Sequence, residues 1–234
     1  MERSKGGTIK LRKGDKMKAI ILLSGGLDSA VAAAWAKREW HEDCLALCFN
    51  YGQRHTKEIH CSRRLAEHFG WPHQLLTIKI PSQSALTDVS KDVNQTVRGL
   101  PASFVPGRNL IFLSYAASVA YHHEVSNIVG GWNFIDYPGY PDCRPEFLQA
   151  AEVAINRALG YPEYTLRLHG PLISLNKKEI IQLGQKLKVP FEMTWSCYQG
   201  WDKPCGVCGS CKFRTKGFEE AGILDPLLNR FDAF

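Results

Sequence analysis

Two rhythms of apolar and polar positions run along this chain. Short segments that are apolar nearly throughout, at 19–23, 44–49, 75–78 and 128–131, read as buried strands. Between them lie longer stretches, at 30–40, 55–69 and 110–122, whose apolar residues recur at helical spacing. Strands and helices taking turns predict an α/β fold: a doubly wound parallel sheet with helices on both faces. Further on, Asn176 followed three residues later by Glu179 fits a capping box, which predicts a helix over 177–187.

The interruptions are as informative as the rhythm. Residues 81–107 are rich in Ser, Thr, Asp and Gly with few periodic apolar positions, so they read as a long loop or lid. Loops of that length are uncommon unless they serve a site. A second turn-rich stretch, 132–145, holds three prolines, and everything from 190 on is short-range and cysteine-rich. No repeat or linker divides the chain, and 234 residues suit one well-buried α/β domain. The organisation expected is a basic extension (1–16), a ligand-binding domain (17–190) and a metal-binding segment (191–234) packed on that same domain.

Composition narrows the class. Hydrophobic content of 44% and charged content of 22% are ordinary for a soluble domain, and the longest apolar runs are far too short to span a bilayer. The N-terminal residues lack the apolar core of a secretion signal, so a cytoplasmic location is expected. Net charge is +6, but residues 1–16 hold six Lys or Arg against two acids, so most of the excess lies in a solvated tail. The rest is nearly neutral, which argues against a nucleic-acid partner. Met17 opens "MKAIILLSGG", which reads like a natural chain start.

The first strand-like run ends in Ser24-Gly25-Gly26-Leu27-Asp28-Ser29, and an alanine-rich helical pattern follows. A glycine pair lets the backbone turn sharply and approach a ligand with no Cβ in the way. The amides that follow belong to a helix's first turn and carry the positive end of its dipole, which makes an anion cradle. Ser24 and Ser29 add hydroxyls, and Asp28 suits a magnesium ion held against phosphate oxygens. A glycine turn without a ligand is the bland alternative. The Walker pattern fails for want of its lysine, and the G-x-G-x-x-G pattern fails as well. The segment resembles the S-G-G-x-D-S pyrophosphate loop of the PP-loop ATPases, which cleave ATP between its α and β phosphates and adenylate an oxygen of the substrate. That resemblance implies ATP contacts from Leu23 through Ser29, with adenine and ribose near Asn50, Tyr51 and Gln53.

Eight cysteines occur, and a reducing compartment argues against disulfides. Cys44, Cys48 and Cys61 read as small buried hydrophobes. Cys197, Cys205, Cys208 and Cys211 form two C-x-x-C steps sharing a middle thiol, with a fourth thiol upstream, enough to surround one tetrahedral metal. Gly206 and Gly209 sit inside the steps, where a knuckle is expected to need positive φ. An iron–sulfur cluster is the rival, but the ferredoxin run continues to a further cysteine and proline, whereas Lys212-Phe213-Arg214 follows here. Zinc is favoured. Four thiolates close the site, so its role is structural.

Two further pieces carry recognition chemistry. "FVPGRN" (104–109) offers Arg108 and Asn109, and the stretch 130–147 follows a strand, where parallel sheets bind ligands. That stretch presents Trp132, Phe134, Tyr137 and Tyr140 as aromatic faces, Asp136 and Asp142 as carboxylates and Arg144 as a guanidinium. Aromatics with a carboxylate suit a flat base with neighbouring N–H donors, such as a guanine edge. Arg108 and Arg144 suit an anionic substituent or a phosphate. Taken singly, each has a plain reading as core or as a solvated turn. Lys177, opening the capped helix, is a phosphate candidate whose alternative is a surface lysine. Cys143 is a nucleophile only on paper.

Taken together, SGGLDS (24–29), NYGQRH (50–55), SALT (84–87), FVPGRN (104–109), IDYPGYPDCRPEF (135–147), TWSC (194–197) and PCGVCGSC (204–211) resemble the 7-cyano-7-deazaguanine synthases of the queuosine pathway. The resemblance implies that ATP adenylates 7-carboxy-7-deazaguanine and ammonia gives the amide, after which a second ATP activates the amide oxygen and its loss leaves the nitrile. It also implies zinc on the four cysteines and a homodimer. Adenylation suits the problem, because a carboxylate is a poor electrophile until its oxygen is made a leaving group. No glutaminase segment delivers ammonia, so the amine's source stays open. A protein amine as acceptor is one alternative, a tRNA-modifying PP-loop enzyme a second, and a noncatalytic zinc-bearing module a third.

Overall fold

The computed structural model describes residues 17–41, 43–81, 84–134, 140–162, 165–199 and 202–232. Five parallel strands form the central sheet: β1 (Ala19–Leu22), β2 (Cys44–Asn50), β3 (His73–Thr77), β6 (Asn127–Gly130) and β7 (Arg167–His169), in the order β3-β2-β1-β6-β7. The strand order reverses between β1 and β6. In an open parallel sheet that reversal opens a crevice at the carboxyl ends of the two strands, where ligands bind.

Alternation along β1 decides which face each side chain serves. Ala19 and Ile21 point into one core, with Leu65, Phe69, Ile180 and Phe218 and the alanines of α1 (Leu27–Trp40). Ile20 points into the other, with Leu113, Ala116, Leu148 and Ile155. Helices α2 (Lys57–Phe69), α5 (Lys177–Lys186) and α6 (Gly209–Ala221) therefore share a face with α1, while α3 (Arg108–His122) and α4 (Pro145–Ala158) cover the opposite one. Helix α1 is rich in alanine because it is wedged between β1 and α5, with seven of its apolar side chains buried. The capping box at α5 is formed: Asn176 accepts from the Glu179 amide at 3.0 Å, and Glu179 accepts from the Asn176 amide at 2.8 Å.

Several elements lie beyond the sequence-based expectation. Segment 190–232 is more regular than its cysteine-rich pattern suggests, since it holds α6 and α7 (Pro226–Asp232). Gly209 is not a positive-φ residue; it is the first residue of α6, and Gly206 alone of the two turns left-handed, at φ 71°. Helix α4 and strand β7 also escaped the pattern, β7 because three residues are too few to show a period. Residues 84–107 are a folded cover rather than an open loop. They hold a hairpin of β4 (Thr96–Val97) and β5 (Leu100–Pro101) over buried Ala85, Leu86, Val93, Ala102 and Val105. Arg54 straps this cover down by donating to the carbonyls of Ala85, Val89 and Lys91 at 3.1–3.3 Å.

One buried contact ties the sheet to acidity. Ser62 donates to the Leu23 carbonyl at 2.6 Å, so its oxygen is left to accept from Nε2 of His73 at 3.0 Å. Burial, with Arg63 nearby, pushes His73 from its ordinary 6.5 down to about 4. The unfolded chain therefore takes up this proton near pH 6.5 and the folded chain only near pH 4, so stability is lost as pH falls through that window. We predict that His73→Gln, which keeps a donor for Ser62, flattens the fall in Tm between pH 6.5 and 4. Thermal melts of both proteins across that range provide the check.

Candidate active site

The turn after β1 is held on three sides. Gly25 adopts φ +96°, and a Cβ there would lie 2.1 Å from the Glu58 carbonyl oxygen and 2.7 Å from the Ser62 amide nitrogen of α2. Its carbonyl accepts from the Trp195 amide at 2.9 Å, which brings the cysteine-bearing segment onto the turn. Gly131, just past β6, packs on the first turn of α1, where a Cβ would meet Asp28 and Ser29 backbone atoms at 2.7–2.8 Å. Ser29 accepts from the Gly25 amide at 3.3 Å and donates to the Gly26 carbonyl at 2.9 Å, while Ser24 accepts from the Gly26 amide at 3.2 Å. The loop is thus preformed, with Gly26 capping α1 and the helix's first-turn amides behind it.

Lys177 donates to both carboxylate oxygens of Asp28, at 2.6 and 2.8 Å. Its stem is buried against α6 at Gly217, where a Cβ would come within 2.3 Å of Lys177 Cγ. The alternative of a surface lysine is therefore set aside, and Asp28 lines the turn as half of an ion pair.

A cavity of about 260 Å³ opens beside this turn, at the crevice between β1 and β6. Ser24, Gly26, Leu27, Asp28, Ser29 and Lys177 line one side. Tyr51, Gln53, Arg108, Asn109, Trp132 and Tyr140 line the rest, so the structure brings together most of the residues selected from sequence. Arg108 and Asn109 belong to the first turn of α3 rather than to the preceding loop. Arg108 donates to the Tyr51 hydroxyl at 3.3 Å, and its buried Nε has no hydrogen-bond partner among the described residues. Tyr140 shares a 2.6 Å hydrogen bond with Ser103, which joins the cover to the cavity wall.

Other selected residues stand elsewhere. Leu23 is fully buried in the sheet, and Asn50 turns back to accept from the Gly52 amide at 3.2 Å. Phe134 and the exposed Arg144, which caps α4, do not line the cavity. Asp142 lies behind the wall: it is buried, accepts from the Asn109 amide at 3.2 Å and leaves Oδ1 without a hydrogen-bond partner among the described residues. Burial raises its carboxyl against the lowering effect of Arg108. Asp136 and Tyr137 fall outside the described residues. Cys143 does line the cavity, but burial and neighbouring Asp142 push its thiol up to about 12, which keeps it protonated and a poor nucleophile.

Sequence reasoning missed Phe49 and Phe112, whose rings stack at 4.2 Å on the cavity wall, and His55, Glu58, Tyr198 and Arg214. The place of Phe49 at the carboxyl end of β2 was a usable signal. Arg214 had none. It is buried in α6, pairs with Asp225 at 2.6 and 2.8 Å and donates to Thr194 at 2.7 Å.

Behind the turn, the Sγ atoms of Cys197, Cys205, Cys208 and Cys211 lie within 4.8 Å of one another, and those of Cys205 and Cys211 are 3.9 Å apart. Tetrahedral Zn–S bonds place sulfurs about 3.8 Å apart, so the set fits one four-coordinate metal.

With this geometry in view, comparison with known proteins is decisive. The profile of the family "Queuosine biosynthesis protein QueC" matches residues 18–222. The chain belongs to the QueC family. The 7-cyano-7-deazaguanine synthase of Trichodesmium erythraeum is 42% identical over 223 residues, covering 91% of this chain and 100% of that one. That of Thermoplasma acidophilum is 45% identical, covering 91% and 92%. Among solved structures, a predicted subunit of tRNA methyltransferase from Methanocaldococcus jannaschii superposes with a TM-score of 0.50 at 19% identity, over 73% of this chain and 76% of that one, a likeness of fold alone. No helix among the described residues is long and apolar enough to cross a membrane.

Gly25→Ala is predicted to damage both the fold and the site of this QueC-family protein. The left-handed backbone alone costs about 1–3 kcal/mol for a residue with a Cβ, and the clash with α2 adds to it. Tm should fall, and ATP affinity, read by calorimetry, should drop at least about tenfold, or some 1.4 kcal/mol.

Proposed function

We propose that this protein is an ATP-dependent carbon–nitrogen ligase that adenylates 7-carboxy-7-deazaguanine and condenses it with ammonia, through the amide, to 7-cyano-7-deazaguanine. Membership of the QueC family and the shared name of its relatives support the reading. The observation that carries it is one cavity lined by both the pyrophosphate loop and an aromatic, arginine-bearing wall. An anhydride between a flat heterocyclic acid and AMP needs those two halves side by side.

In this reading the first-turn amides of α1 and the Ser24 and Ser29 hydroxyls receive the departing pyrophosphate. Lys177 adds a fixed positive charge there, oriented by Asp28. Phe49, Phe112 and Trp132 offer flat apolar faces to the deazapurine. Arg108, whose Nε lacks a partner among the described residues, binds the carboxylate or the adenylate phosphate and orients the acid for attack on the α-phosphate. Asn109 lines the cavity beside it, with its side-chain amide donating to the Asp142 carbonyl at 2.9 Å. Asp142 acts through these two rather than on the base edge, because its bond is to the Asn109 backbone.

The oxygen donors of Ser24, Ser29 and Asp28 fit Mg²⁺ shared with the ATP phosphates, and such an ion supplies charge neutralisation on the leaving pyrophosphate. The four thiolates fit Zn²⁺ as a closed structural site that fixes the segment bearing Trp195 against the turn. A homodimer in the cytoplasm, using ammonia as the amine, completes the reading.

Two outcomes are expected. The protein should catalyse ATP–pyrophosphate exchange that depends on 7-carboxy-7-deazaguanine, and Lys177→Met should lower that exchange about 100-fold. Absence of acid-dependent exchange in the wild type would sink the proposal. Elemental analysis should find one zinc per chain, and Cys208→Ser should lose it together with several degrees of Tm.

A further inference from the structure

Two carboxylates line the cavity among the described residues, and they are provided for differently. Asp28 gives both oxygens to Lys177. Glu58, on the first turn of α2, faces the imidazole of His55, with Nε2 3.1 Å from Oε2. Its other oxygen lies 3.4 Å from the point where a Gly26 Cβ would stand, so the carboxylate borders the pyrophosphate loop. The cations on the wall have partners elsewhere: Lys177 on Asp28, Arg214 on Asp225 and Arg108 on the Tyr51 hydroxyl. An anion beside a loop built for a polyanion repels what the loop must bind, unless a cation enters with the substrates.

His55 points to which cation. The residue is 4% exposed and lines the cavity, yet its Nδ1 is buried with no hydrogen-bond partner among the described residues. With Nε2–H directed at Glu58, Nδ1 carries the lone pair and is a proton acceptor without a donor. The pair therefore offers two places for protons, the Glu58 carboxylate and Nδ1 of His55. Tyr198, whose ring centre is 5.5 Å from that of His55, lines the same corner and adds an aromatic ring, a group that attracts small cations.

We propose that Glu58 and His55 form the site at which the amine arrives as an ammonium ion and sheds its protons. The inference rests on the ligase reading above. Ammonium gives one proton to Glu58, and the nitrogen lone pair so freed attacks the acyl carbon of the adenylate. The C–N bond forms, and the C–O bond to AMP breaks with its electron pair leaving on the AMP phosphate oxygen. A second proton, shed by the nitrogen now bonded to carbon, passes to Nδ1 of His55. One ammonium and one acyl adenylate yield one amide, one AMP and two protons, the number the pair can take.

The test separates amine chemistry from adenylation. In Glu58→Gln, kcat/KM for ammonium should fall about 100-fold, while acid-dependent ATP–pyrophosphate exchange falls less than about tenfold. Hydroxylamine, largely uncharged at neutral pH, should restore most of the acyl transfer in this variant and leave the wild type little changed. His55→Gln, assayed in parallel, should show the same asymmetry, so that a folding loss in one variant, visible in its melt, leaves the other to decide. Exchange falling by the same factor as amide formation would overturn the proposal, because Glu58 would then serve ATP or its metal ion. An unchanged dependence on ammonium in both folded variants would overturn it equally. A wild type with no acid-dependent exchange removes the ligase reading, and this inference with it.

Discussion

Close approach of backbones around the turn after β1 is the constraint on which the rest of the structure depends. Three separate pieces of chain meet there: α2 against Gly25, the stretch after β6 against the first turn of α1 through Gly131, and Trp195 through its amide to Gly25. The first two are at distances that a single methyl group would abolish, and the third is a backbone hydrogen bond of 2.9 Å. Interiors pack at crystal-like density and do not stretch to absorb such a group. Glycine at 25 and 131 therefore fixes the spacing of α1, α2 and the strand ends, and with it the shape of the crevice.

The cysteine-bearing segment belongs to the site although none of its thiols faces the cavity's chemistry. It supplies the hydrogen bond from Trp195, the Gly217 surface that seats the stem of Lys177, and the Arg214–Asp225 pair. That pair is buried on both sides and bound further to Thr194 and the Phe191 carbonyl. Buried ion pairs add little net stability, because desolvation offsets their attraction. What this one provides is a single orientation for α6 relative to the residues around Thr194. Charge in the cavity follows the same pattern: Asp28 and Lys177 neutralise each other across the gap between α1 and α5, so neither stands as a lone buried charge.

Much of this was legible in the chain. Alternating strand and helix patterns gave the parallel sheet, Asn176 and Glu179 gave the cap of α5, and the spacing of Cys197, Cys205, Cys208 and Cys211 gave the thiol cluster. The turn at Ser24–Ser29 was recognisable as a tight strand-to-helix junction because its geometry is local, made of a few consecutive amides and hydroxyls. Helices α4 and α6 were harder to see. Helix α6 opens within the cysteine cluster itself, and α4 opens at Pro145 on the edge of a proline-rich stretch, where turn signals dominate.

The sequence by itself determined what is local: which segments become strands, where a helix is capped, which thiols cluster and which strand turns sharply into a helix. Only the tertiary structure decided the partnerships, because they join residues far apart in the chain. Lys177 meets Asp28 across 149 positions, Trp195 reaches Gly25, and Glu58 borders Gly26 from another helix. Arg144 and Asp142 show the converse, since a charged residue in a promising stretch can cap a helix or brace a wall instead of facing the ligand. No spacing rule encodes such encounters. They follow from which faces the sheet and its glycines allow to touch.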